Sequence, residues 1–100
     1  MENNKTITQA ICNIQIENNK TKVSEWVFPK NSQTGFHTHA YKYIIVPMTY
    51  GYLKEELRDG SFSYFLLKES ESYYRTHGKH HNIINENNFI FKFIEIEFLN

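Results

Sequence analysis

The chain is predicted to fold as an all-β sandwich or barrel, on three observations. Short apolar or alternating stretches recur along its 100 residues, with turn signals every several positions. Asp59-Gly60, set between two such stretches, is among the stronger hairpin signals. No stretch of useful length shows the spacing of an amphipathic helix.

Taken in order, residues 1–6 are polar and are expected to fray. Ile7 to Ile16 alternates in part and suggests a strand, and Glu17-Asn18-Asn19-Lys20 reads as a turn because Asn tolerates left-handed backbone. Val23, Glu25 and Val27 then oppose Ser24, Trp26 and Phe28 on the two faces of a strand, and Pro29 to Thr34 is expected to be a loop. A histidine-bearing strand follows Gly35 and runs on through the apolar stretch Tyr43 to Met48. Tyr52 to Leu57 and Ser61 to Leu67 form the hairpin around Asp59-Gly60. Lys68 to Ser72 is a charged loop, Tyr73 to Arg75 a short strand, and Thr76-His77-Gly78 its turn. Ile83 and Ile84 belong to the next strand, Glu86-Asn87-Asn88 turns again, and Phe89 to Phe98 is the last strand. That strand changes habit midway. Phe89, Phe91 and Phe93 share a face that Glu95 and Glu97 then continue, which calls for a bend or for one face held against a partner chain.

The whole chain sets bounds on function. One hundred residues make a single domain with one modest core. Hydrophobic residues at 40%, charged residues at 22% and zero net charge describe a soluble globular protein. Balanced charge, with Arg58 and Arg75 the only arginines, argues against nucleic acid or an anionic membrane as partner. No apolar run approaches the roughly 20 residues of a membrane-spanning helix, and the start lacks a signal-peptide pattern, so a cytoplasmic location is expected. The lone Cys12 excludes an internal disulfide and a Cys-rich zinc module, and is read as a buried or edge structural residue.

Chemistry concentrates in two stretches. In an extended strand His37 and His39 point the same way, so their imidazoles can converge on one ion. Gly78-Lys79-His80-His81-Asn82-Ile83-Ile84-Asn85 offers a third histidine, His81, to the same site. His80 has the opposite parity and His77 lies beyond Gly78, so both are assigned to the surface or rim. Tyr41 and Tyr43 share the parity of His37 and His39, which makes both candidates to line a cavity and to donate a proton or orient a substrate. Arg75 is a candidate clamp for a substrate carboxylate, with an ion pair to Glu69 or Glu71 as the plainer reading. Glu95 and Glu97 serve as base or outer support if they face inward, and solvated or interface positions are the plainer reading.

Gly35-x-His37-x-His39, followed by a strand and Gly51, resembles the first motif of the cupins. Gly78-x-x-His81-x-x-x-Asn85 is similar to the second, with Thr76 where that motif has proline. The stretch Thr34 to Pro47, Trp26 in Ser-Glu-Trp-Val-Phe, and the ending Phe-Ile-Glu-Ile-Glu-Phe narrow the resemblance to small cupins of the β-alanine-degradation type. The resemblance implies a cupin-type double-stranded β-helix, a small jelly-roll barrel, with an interior metal held by His37, His39 and His81. Tyr43 stands where such sites often place a glutamate, so a hard anionic ligand is missing. Zinc, nickel, manganese and iron all suit the remaining imidazoles.

Three functions follow. The first is a metal-dependent enzyme on a small polar molecule such as an organic or sugar acid, by hydrolysis, isomerisation, elimination or oxygenation. The second is a non-catalytic metal or small-ligand binding or sensor module. The third is a metal-free barrel kept for dimerisation. Sixteen aromatic residues on so small a chain also predict a homodimer.

Overall fold

The computed structural model describes residues 7–76 and 79–99. Eleven strands run in chain order: β1 (Thr8–Gln9), β2 (Ile11–Glu17), β3 (Thr21–Phe28), β4 (Ser32–Gln33), β5 (His37–Thr38), β6 (Lys42–Pro47), β7 (Gly51–Leu57), β8 (Phe62–Leu67), β9 (Tyr73–Arg75), β10 (His80–Ile84) and β11 (Phe91–Phe98). They form two sheets. One has the order β1-β4-β10-β7-β8, with β5 also paired to β10; the other has the order β2-β3-β11-β6-β9. The chain crosses repeatedly from sheet to sheet, and every pairing is antiparallel except β1 with β4. Among the described residues there is no helix, hence none long and apolar enough to cross a membrane.

Three element boundaries depart from the sequence reading. Ile7 to Ile16 splits at Ala10 into β1 and β2, which join different sheets. The loop predicted over Pro29 to Thr34 contains β4, whose two residues are too few to show a period. The histidine strand is also two elements, with residues 39–41 carrying the chain from β5 in one sheet to β6 in the other. The predicted frayed start at 1–6 and the turn residues His77 and Gly78 lie outside the described residues.

The inner face of the five-stranded sheet is graded along its length. Phe28 lies opposite Phe91 and both are fully buried; Trp26 lies opposite Phe93 and, beyond it, Pro47. The next row holds Ser24, Glu95, Ile45 and Tyr73, and the last holds Lys22, Glu97, Tyr43 and Arg75. The apolar end packs against Leu53 and Leu67 of the other sheet as the hydrophobic core, while the polar end leaves a cavity of about 300 Å³. No bend is needed in β11: Phe91, Phe93 and Glu95 are all buried. Its change from Phe to Glu is the change from core to cavity wall.

Two residues at the core end hold the sheets in place. Gly51 begins β7 where a Cβ would come 3.2 Å from the Phe89 ring and 3.3 Å from the Phe91 ring, so any side chain there would have to push the rings aside by a few tenths of an ångström. Asn85 is fully buried. Its Nδ2 donates to the carbonyls of Phe28 and Phe89 at 2.9 Å and Pro29 at 3.3 Å, and its Oδ1 accepts from the Asn87 amide. One side chain thus ties the end of β10 to the end of β3 and the approach to β11. The predicted hairpin is present at Asp59-Gly60, where Gly60 has φ 89° and Asp59 Oδ1 accepts from the Ser61 amide.

Candidate metal centre

The ladder between β5 and β10 assembles the site. His37 lies directly opposite His81, so their side chains leave the same face. The His39 amide donates to the Lys79 carbonyl at 3.2 Å, which extends the ladder and returns His39 to that face. The result is convergence: His39 Nε2 is 3.0 Å from His81 Nε2 and 3.2 Å from His37 Nε2. His39 and His81 are buried, and His37 is half-buried toward the cavity it lines.

The other nitrogen of each ring faces an oxygen. His37 Nδ1 donates to the Gly35 carbonyl at 2.9 Å, a carbonyl being able only to accept. Gly35 has φ 85°, a left-handed conformation that favours glycine, and its amide donates to Asn82 Oδ1 at 2.9 Å. His81 Nδ1 donates to Glu55 Oε2 at 2.7 Å. His39 Nδ1 lies 3.4 Å from Glu95 Oε2, long for a hydrogen bond. Trp26 Nε1 donates to the other Glu95 oxygen at 3.0 Å.

Electrostatics disfavour the charged forms of His39 and His81. Burial, then the neighbouring His37 and His81, push His39 down to about 3, and burial likewise lowers His81 against the opposing pull of Glu55. Burial would raise Glu55, but its hydrogen bond from His81 and the charge of Lys79 outweigh it and hold the carboxyl below its usual range. Burial lifts Glu95 to about 7, offset only in part by the Trp26 hydrogen bond.

These donors fit a divalent transition metal. With the Nδ1 atoms of His37 and His81 donating to oxygens, the Nε2 lone pairs of both rings are left free and face the His39 Nε2. Nitrogens 3.0 and 3.2 Å apart suit imidazoles each ~2.0–2.1 Å from a common ion. His39, Glu95 and Glu97 form a second, overlapping group with ligand atoms within 4.8 Å of one another.

Tyr43 and Tyr41 separate. Tyr43 is buried and stacks on His39, with ring centroids 4.0 Å apart, and burial followed by Glu95 pushes its phenol up to about 12. At the position of the missing glutamate the chain therefore has a neutral ring lying flat against a histidine. Tyr41 is 43% exposed and is not part of the cavity lining, because the chain turns between sheets at that point and breaks the parity that linked it to His39.

Arg75 lines the cavity with its guanidinium 4.4 Å from the centre of the Tyr73 ring, and among the described residues it makes no ion pair with Glu69 or Glu71. Glu95 is buried and Glu97 lines the cavity, so the solvated reading of these acids is corrected. His80 lies outside the cavity lining, stacked on Phe36 and accepting from Arg58 Nε at 2.9 Å. Cys12 is exposed on the edge strand β2. Sequence reasoning missed Glu55 and Asn82. The signal for Glu55 was its position between Leu53 and Leu57 in strand register, an acid on an apolar face.

Two antiparallel sheets wound from one chain, with histidines from neighbouring strands gathered inside, define a cupin, a double-stranded β-helix. A crystal structure of a cupin domain from Bordetella pertussis superposes with a TM-score of 0.90 at 40% identity, covering 95% of this chain and 98% of that one. An RmlC-like cupin family protein from Methanocaldococcus jannaschii shares the fold at a TM-score of 0.72 and 16% identity, over 97% of this chain and 86% of that one. No family model matches the sequence. The β-alanine degradation protein BauB of Pseudomonas aeruginosa is 35% identical over 89 residues, which cover 89% of this chain and 93% of that protein. The chain belongs to the small cupins and resembles the BauB type.

Proposed function

We propose that this cupin is a metal-dependent enzyme acting on a small polar acid, with His37, His39 and His81 as the metal ligands. The observation that carries the reading is the convergence of three Nε2 atoms whose opposite ring nitrogens all face oxygens. An ion held there supplies Lewis acidity, or a bound water with its pKa lowered toward ~7. Zinc, nickel, iron and manganese all suit such imidazoles.

The chain's own residues shape what enters. A cavity of about 300 Å³ admits a small molecule. Tyr73, Ile45, Ile83 and Phe65 form apolar walls, and Arg75 offers its guanidinium to a carboxylate. Tyr43 stays protonated at neutral pH and lies with its ring against His39. The name of the Pseudomonas relative points to β-alanine breakdown, which makes short amino or carboxylic acids the substrate class to try first.

The test is titration of metal-loaded protein with short carboxylic and β-amino acids, followed by product detection. Binding abolished by chelation and weakened about tenfold in Arg75→Gln supports the site, and conversion supports an enzyme. Binding without conversion of any acid tried favours the alternative, a metal or small-ligand binding module. Binding indifferent to both changes contradicts the reading.

Support from Glu55 gives a separate prediction. Glu55→Gln keeps the shape but removes the charge facing His81 Nδ1. Metal affinity is expected to fall about 10- to 100-fold by chelator competition, while the exposed Glu86→Gln leaves it unchanged. Equal affinities would show that Glu55 does not support the ligand.

A further inference from the structure

We propose that Gly35 forms a β-bulge, pinned by Asn82, that turns His37 toward the other two histidines, which makes Gly35 and Asn82 positioning residues of the site. The consequence for metal rests on the reading of His37 as a ligand. The consequence for the direction of its ring does not.

The register shows the bulge. Gln33 of β4 lies opposite Ile84, and His37 of β5 lies opposite His81. Between these pairs β10 has two residues, Asn82 and Ile83, whereas the facing segment has three, Thr34, Gly35 and Phe36. Residues directly opposite share a face of the sheet. Ile84 and His81 are three apart on β10 and so face opposite ways. Gln33 and His37 are four apart, and unbroken alternation would put both on one face. In that register His37 would lie opposite His80, whose ring is outside the cavity lining. The extra residue reverses the phase and sends the His37 ring inward, as a bulge does when it re-aims a side chain.

Hydrogen bonds hold the bulge on both sides. Gly35 supplies the left-handed backbone, with φ 85°. Its amide donates to Asn82 Oδ1 at 2.9 Å, and its carbonyl accepts from His37 Nδ1 at 2.9 Å. The Thr34 amide donates to the Ile83 carbonyl at 3.0 Å, and the Thr34 hydroxyl accepts from the Ile83 amide at 3.1 Å. Asn82 is itself fixed. It is 2% exposed, and its Nδ2 donates to Gln33 Oε1 at 2.6 Å and to Glu56 Oε1 at 3.2 Å. One side chain thus joins β4, the bulge and β7, although it does not line the cavity. Gly35 is the link: held at its amide by Asn82, it presents its carbonyl to His37.

The test compares Asn82→Ala, Gly35→Ala and Gly35→Asn with wild type by two readouts. One is nuclear Overhauser contacts between histidine rings in the metal-free protein. The other is cobalt(II) binding, followed by chelator competition and by the visible spectrum of the bound ion. A Cβ at Gly35 meets nothing within 4 Å, so Gly35→Ala acts through backbone conformation. Asparagine visits left-handed backbone, which makes Gly35→Asn the conservative rescue. Wild type should show contacts between the His37 and His81 rings, whose centroids are 4.8 Å apart. Asn82→Ala and Gly35→Ala should lose them, weaken cobalt binding about 10- to 100-fold and alter the spectrum. Gly35→Asn should keep the contacts and the spectrum. If Asn82→Ala does not fold, the Gly35 pair carries the test. Variants that lower the urea midpoint yet keep ring contacts and spectrum overturn the inference, leaving the bulge a purely structural role. A wild type that binds no cobalt refutes the metal reading instead, and the ring contacts then support or overturn the inference by themselves.

Discussion

Replacing His81 by alanine is expected to abolish the metal-dependent part of this protein's stability. A ligand that binds only the folded state stabilises it by about 2.7 kcal/mol at a hundred times its dissociation constant. For a domain of this size that corresponds to a Tm rise of roughly 10–20 °C. Wild type should therefore melt that much higher with metal than with chelator. His81→Ala removes one of three converging nitrogens and leaves Glu55 without its imidazole partner. The two remaining imidazoles should bind far more weakly, so the variant should melt at nearly the same temperature with metal or chelator. A wild-type Tm unmoved by chelation would contradict the account. So would a variant that keeps the full shift.

The second large effect is structural and needs no metal. Asn85→Ala is expected to cost about 3 kcal/mol, because a fully buried side chain donates to three carbonyls and accepts from the Asn87 amide. Those carbonyls belong to segments meeting at the core end, far along β10 from His81. Urea unfolding should show a lower midpoint with an unchanged slope, since the surface exposed on unfolding is nearly the same. Metal affinity should hold as long as the protein is folded. A loss below about 1 kcal/mol would mean that other donors serve the carbonyls.

The two effects divide the second histidine-bearing segment by chemistry. His81 faces the cavity and acts through a nitrogen lone pair, whereas Asn85 faces inward at the closed end and acts as a clasp. Strand parity is common to both, being four residues apart, so alternation alone says that they share a face. It does not say that one meets an open cavity and the other a packed core.

The same limit explains what the sequence showed and what it hid. Alternation and turn residues made the all-β fold legible, and the spacing of His37, His39, His81 and Asn85 brought out the cupin resemblance. Parity failed at Tyr41 because a bend between sheets resets the face, and nothing local in Ala40-Tyr41 marks it. The break at Ala10 between β1 and β2, and the strand β4, were hidden because two residues cannot display a period. Glu95 broke the pattern of Phe91 and Phe93 visibly. Its meaning waited on the other strands, since only a cavity at that level lets a buried carboxyl sit beside Trp26 and His39. Glu55 shows the same logic, an acid in apolar register that faces a histidine on the adjacent strand. Periodicity reports which way a side chain points, while register between strands decides what it meets.

The most direct test of the central claim is elemental analysis of untagged wild type beside His37→Ala, His39→Ala and His81→Ala, after reconstitution with zinc, nickel, iron or manganese. The account predicts near-stoichiometric metal in wild type and a sharp loss in every variant. Wild type that takes up no metal, or variants that retain it in full, would contradict the claim that these three imidazoles form a metal centre.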